Sequence, residues 1–197
     1  MGPDDIVTPI IPPVDGHVPR NYNVLGASEL SPFRNHMRAV DIRERVGPEV
    51  FAEYTKFCVE REPVAKCINH YSMQRNSPDH GQGKKGLTSD AYVSAGPFPR
   101  SDRIYTDDRG KLLVDKICKF ENLNAELASL AGSLGFEFDG LHARAKSGLR
   151  EPISPTDAQR RTIYKAFRKS LKHCPYDSGL KTGPAWVLAR LRNSFRH

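Results

Sequence analysis

Arg61 has the clearest potential for chemistry, because it stands between a predicted strand and a predicted helix. Residues 55–61 are predicted as a strand, because the run is short and Phe57 and Val59 lie on one face with Cys58 on the other. Apolar residues then recur at helical spacing after Pro63. A helix amino end offers free backbone N–H groups and a favourable dipole to an anion. Asn69 lies about two turns into the same helix. The pattern predicts an anion site, and the alternative is that Arg61 pairs with a neighbouring glutamate.

The charge of the chain points towards an anionic partner as well. The net charge is +7, and residues 143–197 hold thirteen lysines and arginines against three acidic residues. Such asymmetry favours a phosphate, a nucleic acid, an acidic glycan or a membrane surface, whereas the alternative is a solvated helical face. Hydrophobic residues make up 38% and charged residues 27%, which is typical of a globular protein. No stretch approaches the ~20 apolar residues of a membrane span.

Strands and helices alternate along the segments that must position Arg61. Arg103–Tyr105 and Leu112–Lys119 flank a turn and indicate a hairpin or two short strands. The helices are predicted over residues 35–46, 49–54, 63–71, 89–94, 122–134 and 154–172. Strands that alternate with helices predict an α/β fold with a partly parallel sheet flanked by helices.

The chain divides into three predicted segments. Residues 1–34 form an irregular, proline-rich leader, residues 35–176 the α/β domain, and residues 177–197 a basic amphipathic tail. The acidic start does not read as a signal peptide. The four cysteines show no CxxC spacing and do not cluster with the histidines, so we expect free thiols, no metal site and a reducing, cytoplasmic compartment.

The segment Phe57–Tyr71 reads FCVEREPVAKCINHY, and it resembles the 3′-phosphate-binding segment of sulfotransferases that use 3′-phosphoadenosine 5′-phosphosulfate (PAPS). The family pattern is F-x-x-x-R-[ND]-P-x-[DE]-[RK]-x-x-S-x-Y. Val114–Leu123, VDKICKFENL, is similar to the family's VDxIxRxENL unit, and the segments at residues 2–10 and 35–51 also resemble bacterial carbohydrate-type and uronyl 2-O-sulfotransferase-like members. The four similarities occur in order and cover most of residues 2–172.

The resemblance implies transfer of a sulfuryl group from PAPS to a hydroxyl, often on a carbohydrate. Such a reaction needs in-line positioning, neutralisation of the leaving oxygen and a base for the acceptor proton, and it needs no metal. By resemblance, Arg61 binds the 3′-phosphate, and Asn69 stands where the family usually has serine. His36 matches the candidate base, and Lys146 and Ser147 match the basic loop over the nucleotide.

Some of these residues have simpler explanations. His36 could be a histidine at a helix start, and Lys146 could belong to a solvated charge cluster. The largest departure from the family lies at the beginning, where members have a buried strand and a loop of the type Pro-Lys-x-[GA]-[GS]-[ST] that binds the 5′-phosphosulfate. Nothing similar precedes Met1. The resemblance therefore implies an N-terminally truncated P-loop-like fold whose activity depends on the missing loop.

A non-enzymatic function is the alternative to sulfuryl transfer. The basic C-terminal quarter could serve a non-catalytic module that binds polyanions or nucleic acid, with a strong dependence on salt. Nucleic acid is the less favoured partner, because aromatic residues are not interleaved with the basic ones as stacking platforms would be. In a third interpretation, the tail beyond residue 184 lies on a membrane surface.

Overall fold

The computed structural model describes residues 3–10, 15–23, 33–77, 84–142 and 152–180. Its elements, in chain order, are α1 (Ala39–Val46), α2 (Pro48–Glu53), β1 (Phe57–Glu60), α3 (Pro63–Asn76), α4 (Ser89–Ala95), α5 (Asp102–Tyr105), β2 (Lys116–Lys119), a 3₁₀ turn (Phe120–Asn122), α6 (Leu123–Ser133), α7 (Asp157–Ala166) and α8 (Ser170–His173).

The two strands form a parallel sheet that sets the geometry of the fold. Phe57 aligns with Lys116 and Glu60 with Lys119, so both strands end at the same edge. The connection between them contains α3, α4 and α5. The chain is therefore an α/β protein with parallel strands and flanking helices, which confirms the predicted fold class. β1 is shorter than the predicted run over residues 55–61.

Local sequence explains where α3 begins and which face it buries. Pro63 occupies the first turn, where its missing N–H costs nothing, and the Glu62 side chain caps the helix by accepting from the Ala65 N–H at 2.6 Å. One side of α3 packs against α4 and the C-terminal helices. The buried core that results consists of Val64, Cys67, Tyr71, Tyr92, Ile163 and Phe167.

The predicted start of the first helix is wrong by four residues. α1 begins at Ala39 instead of Asn35. His36 has a left-handed backbone with φ of 58°, which no α-helix accommodates, and Arg38 is extended. His36 therefore lies in the turn that precedes α1.

The predicted hairpin is only partly correct. Residues 102–105 form the helical turn α5 instead of a strand, and the Thr106 N–H closes it by donating to the Asp102 carbonyl at 3.1 Å. Thr106 then forms an isolated antiparallel bridge with Leu112. The helical turn buries Tyr105 next to β1, whereas an extended backbone would carry that ring elsewhere.

The helix predicted over residues 154–172 is divided into two. α7 starts at a capping box formed by Thr156 and Gln159, so Pro155 precedes the cap and is not the first helical residue. The chain then turns at residues 167–169 before α8. The helix predicted over residues 122–134 corresponds to α6, and Gly135, with φ of 74°, follows its C-cap residue Leu134.

Two further sequence predictions can be compared with the structure. All four cysteines are free, and three of them are buried. None of the helices in the described part of the chain is long and apolar enough to cross a membrane. The segment beyond residue 184, which could have faced lipid, lies outside the described residues.

Candidate functional site

The carboxyl edge of the sheet brings Arg61 and Phe120 together. Each residue directly follows its strand, and the parallel register places the two strand ends side by side. The guanidinium carbon of Arg61 lies 4.0 Å from the centroid of the Phe120 ring. A cation held over an aromatic face is stabilised by the ring quadrupole, and the stacking restricts the guanidinium plane. Arg61 is thus oriented by a residue from the neighbouring strand.

Glu60, the last residue of β1, anchors this strand end from within the protein. Its side chain is 2% exposed. The carboxylate accepts hydrogen bonds from Lys66 Nζ, from the Tyr105 hydroxyl at 3.1 Å and from the Arg61 backbone N–H at 3.2 Å. Because a buried carboxylate needs such partners, the cluster fixes the backbone from which the Arg61 side chain departs.

Carboxylates of the chain already occupy the amino end of α3. The Glu62 side chain accepts from the Ala65 N–H, and the Glu62 N–H donates to Glu121 Oε1 at 2.9 Å. The sequence-based expectation of free backbone N–H groups is therefore wrong for these two groups. An external anion at this edge has to be bound mainly by side chains, with Arg61 first among them.

Two tyrosine hydroxyls reach the same edge from the C-terminal part of the chain. The Tyr164 hydroxyl lies 2.8 Å from Glu62 Oε1, and the Tyr176 hydroxyl lies 2.9 Å from Glu121 Oε2 and 3.1 Å from the Glu60 carbonyl oxygen. Burial, followed by hydrogen bonding to the carboxylate, raises the pKa of each tyrosine above its ordinary value. Both hydroxyls therefore stay protonated and hold the carboxylates in place.

Glu121 carries a negative charge near Arg61. Burial acts to raise its pKa, but the backbone N–H groups, the Tyr176 hydroxyl and the Arg61 charge outweigh burial and hold the pKa below its ordinary value. Glu121 is consequently ionised at neutral pH. The Glu121 carboxylate therefore competes with any external anion for electrostatic attraction to the Arg61 guanidinium.

Asn69 lies in the second turn of α3, on a different side of the helix from Cys67 and Tyr71. Its Oδ1 atom is buried and has no hydrogen-bond partner within the described residues. A buried amide oxygen without a partner is costly. A 180° rotation of the amide places its two N–H donors at the same position, where they suit an anionic oxygen. Asn69 thus has unused hydrogen-bonding capacity on the helix that Arg61 precedes.

The structure does not bring His36 to this edge. Its side chain is exposed, and no hydrogen bond or ring contact joins it to another residue in the described ranges. α1, which follows His36, packs on α2 and α5, whereas α3 packs on α7. The imidazole lacks the orienting partner that a general base usually has. Lys146 and Ser147 lie outside the described residues.

Sequence reasoning missed the aromatic and acidic residues around Arg61. The positions of Phe120 and Glu121 near Arg61 could have been predicted, because both residues directly follow a predicted strand and parallel strands end at the same edge of a sheet. The positions of Tyr164 and Tyr176 could not, because they reach the edge only through the packing of the C-terminal helices. Together these side chains surround Arg61 with an aromatic ring, carboxylates and two tyrosine hydroxyls at the carboxyl edge of the sheet.

We compared the chain with protein families, known proteins and solved structures. No protein-family model matches the chain, and no solved structure matches it. An uncharacterized protein from Archaeoglobus fulgidus is 32% identical over 103 residues, which are 50% of this chain and 82% of the archaeal protein. The chain therefore belongs to the same family as that archaeal protein.

Proposed function

We propose that the chain binds PAPS through its 3′-phosphate and takes part in transfer of the sulfuryl group to a hydroxyl, with a carbohydrate as the acceptor. The observation that carries the proposal is the Arg61 guanidinium, stacked 4.0 Å from the Phe120 centroid at the carboxyl end of a parallel strand. Ligands of α/β proteins bind at that end of the sheet. The similarity of Phe57–Tyr71 to the 3′-phosphate-binding segment points to the same residue.

Each residue has a separate task in the proposed reaction. Arg61 offers a planar fork of N–H donors to the phosphate oxygens, and the turned amide of Asn69 adds donors from α3. PAPS supplies the sulfuryl group, and no metal is required. His36 is the proposed base for the acceptor hydroxyl, because a neutral imidazole nitrogen can accept a proton. His36 has no hydrogen-bond partner among the described residues.

The cytoplasm is the proposed location of this reaction. The four free thiols support it, because free cysteines are typical of a reducing compartment. The alternative function, a non-catalytic module that binds polyanions or nucleic acid through the basic C-terminal quarter, rests largely on residues 143–151 and 181–197. These residues lie outside the described part of the structure.

A calorimetric comparison of two nucleotides tests the proposal. We expect 3′,5′-ADP to bind about 100-fold more tightly than 5′-AMP, because only the former carries the 3′-phosphate that two charge-assisted hydrogen bonds from Arg61 would recognise. Equal affinities, or no binding of either nucleotide at millimolar concentration, would contradict the proposal.

Removing the charge of Glu121 is predicted to increase the affinity for 3′,5′-ADP. Replacing Glu121 with glutamine removes a carboxylate near Arg61 but keeps an oxygen that can accept from the Glu62 N–H. We expect 3′,5′-ADP to bind about three- to tenfold more tightly, because a like charge close to the phosphate is gone. Titration calorimetry measures the change.

Glu137 provides the matched control for this variant, because it is exposed and lies away from the sheet edge, beyond α6. Glu137→Gln changes the net charge equally and should leave nucleotide affinity unchanged. If Glu121→Gln binds no more tightly than this control, the phosphate does not sit near Glu121.

A further inference from the structure

A polar cavity lies away from the sheet edge, between α5, the turn at residues 107–110 and α8. We call it the α5–α8 groove. It has a volume of about 540 Å³, in the range of roughly 300–1,000 Å³ that small-ligand sites occupy. Its basic lining consists of Arg38, Arg103, Arg109, Lys169, Lys172 and His173.

The acidic residues of the groove already have partners in the protein. Asp108 pairs with Arg38 at 2.5 Å. Asp107 accepts hydrogen bonds from the backbone N–H groups of Arg109 and Lys111 at 2.9 and 2.8 Å. Asp102 is buried, 4% exposed, beside the Ser170 hydroxyl. Their charges are therefore engaged in holding the walls of the groove.

Four cations of the groove are left for an external partner. Arg103, Arg109, Lys169 and Lys172 are exposed, and none of them makes an ion pair with another residue of the described ranges. They come from three separate stretches of the chain: α5, the 107–110 turn, and the segment that ends in α8. The five arginines and lysines of the lining outnumber its three aspartates, and such an excess of like charge favours a bound polyanion.

The chemistry of the lining favours a sugar polyanion over nucleic acid. Among the described residues, no phenylalanine, tyrosine or tryptophan lines the groove, and the His173 ring in its lining is packed edge-on against Tyr105 with centroids 6.3 Å apart. Bases of a single strand therefore lack a stacking platform here. Guanidinium and ammonium groups, by contrast, suit the sulfate and carboxylate groups of an acidic glycan.

From these observations we propose that the α5–α8 groove binds an acidic oligosaccharide that carries sulfate or carboxylate groups. Arg103, Arg109, Lys169 and Lys172 contact the anionic groups, while Arg38 is kept in place by Asp108 and by the Arg103 carbonyl oxygen, 3.2 Å from Arg38 Nε. None of these residues belongs to the nucleotide site, so glycan binding in the groove does not depend on the proposed sulfuryl transfer.

The test compares two double variants of the full chain that change the net charge equally. Lys169→Glu with Lys172→Glu reverses two charges in the groove. Lys84→Glu with Lys85→Glu reverses two exposed charges next to α4, outside the groove. For a heparin-derived hexasaccharide at low ionic strength, we expect the groove variant to bind about tenfold more weakly than the wild type, because two charge-assisted contacts become repulsive. The control variant should bind within about twofold of the wild type.

Two further measurements separate the proposal from its competitors. Binding of 3′,5′-ADP should be the same in the groove variant and the wild type, and circular dichroism should show the same fold. If both double variants bind the hexasaccharide as the wild type does, the glycan lies elsewhere on the basic C-terminal quarter and the proposal is overturned. If oligodeoxythymidylate binds more tightly than the hexasaccharide and loses affinity in the groove variant, the groove is a nucleic-acid site instead.

Discussion

Replacing Arg61 with alanine is expected to weaken the binding of 3′,5′-ADP by about 100-fold, since two charge-assisted hydrogen bonds to the phosphate would be lost. The fold should survive, because the Arg61 backbone N–H keeps its bond to Glu60 and the side chain lies at the sheet edge. Titration calorimetry gives the affinity, and circular dichroism checks the fold.

Two other variants sharpen the interpretation. Arg61→Lys keeps the charge but loses the planar fork and the stacking on Phe120, so an affinity between wild type and Arg61→Ala is expected. Arg100→Ala removes an exposed arginine that lies outside the sheet edge and should leave the affinity unchanged. An equal loss in Arg61→Ala and Arg100→Ala would mean that the chain binds the nucleotide by overall charge alone.

Replacing Lys66 with methionine is expected to lower the free energy of unfolding by about 3–5 kcal/mol, because it leaves the buried Glu60 carboxylate without its cationic partner. The Lys66 side chain is 17% exposed and that of Glu60 is 2% exposed, so solvent screens this pair weakly. Lys66 Nζ also donates to the Ser101 hydroxyl at 2.7 Å, which links α3 to the start of α5. Urea unfolding followed by circular dichroism measures the change.

The matched control is a half-exposed pair that uses the same residue types. Lys116 pairs with Glu126 at 3.1 Å, with side chains 30% and 27% exposed, and Lys116→Met should cost about 1 kcal/mol or less. The double variant Glu60→Leu with Lys66→Met should recover part of the stability lost in Lys66→Met, since no unpaired charge is left buried. Equal losses in Lys66→Met and Lys116→Met would show that the Glu60 cluster does not depend on its charge.

The two anionic sites that we propose differ in how they are built. Arg61 is oriented by an aromatic ring and lies beside the ionised Glu121, so it suits one defined phosphate group. The α5–α8 groove has several exposed cations without such walls, so it suits a longer, multiply charged chain. Variants at one site should therefore leave binding at the other unchanged, and this independence is measurable with the same proteins.

Much of the local structure follows from the sequence because local signals are strong there. Glu62 and Pro63 mark the start of α3, Gly135 follows the end of α6, and the Thr156–Gln159 capping box opens α7. Each signal acts through hydrogen bonds or backbone preferences within a few residues. The alternation of strand and helix, and with it the α/β class, was predictable for the same reason.

Other features depend on contacts between distant segments. Nothing at residues 167–169 signals a helix break, since neither glycine nor proline is present. In the structure, Ser170 is buried beside Asp102, and Phe167 lies in the core. The helical pattern predicted that His36 lies in a helix, whereas its backbone is left-handed. Packing against other elements outweighed intrinsic preference at both places.

The sequence by itself determined that Arg61 stands between a strand and a helix, because both elements are indicated by the pattern of neighbouring residues. Only the tertiary structure decided what surrounds it. The parallel pairing of β1 with β2 brings Phe120 and Glu121 to Arg61, and packing of the C-terminal segment adds Tyr164 and Tyr176. These approaches depend on burial and hydrogen bonds between residues far apart in the chain, which no local pattern encodes.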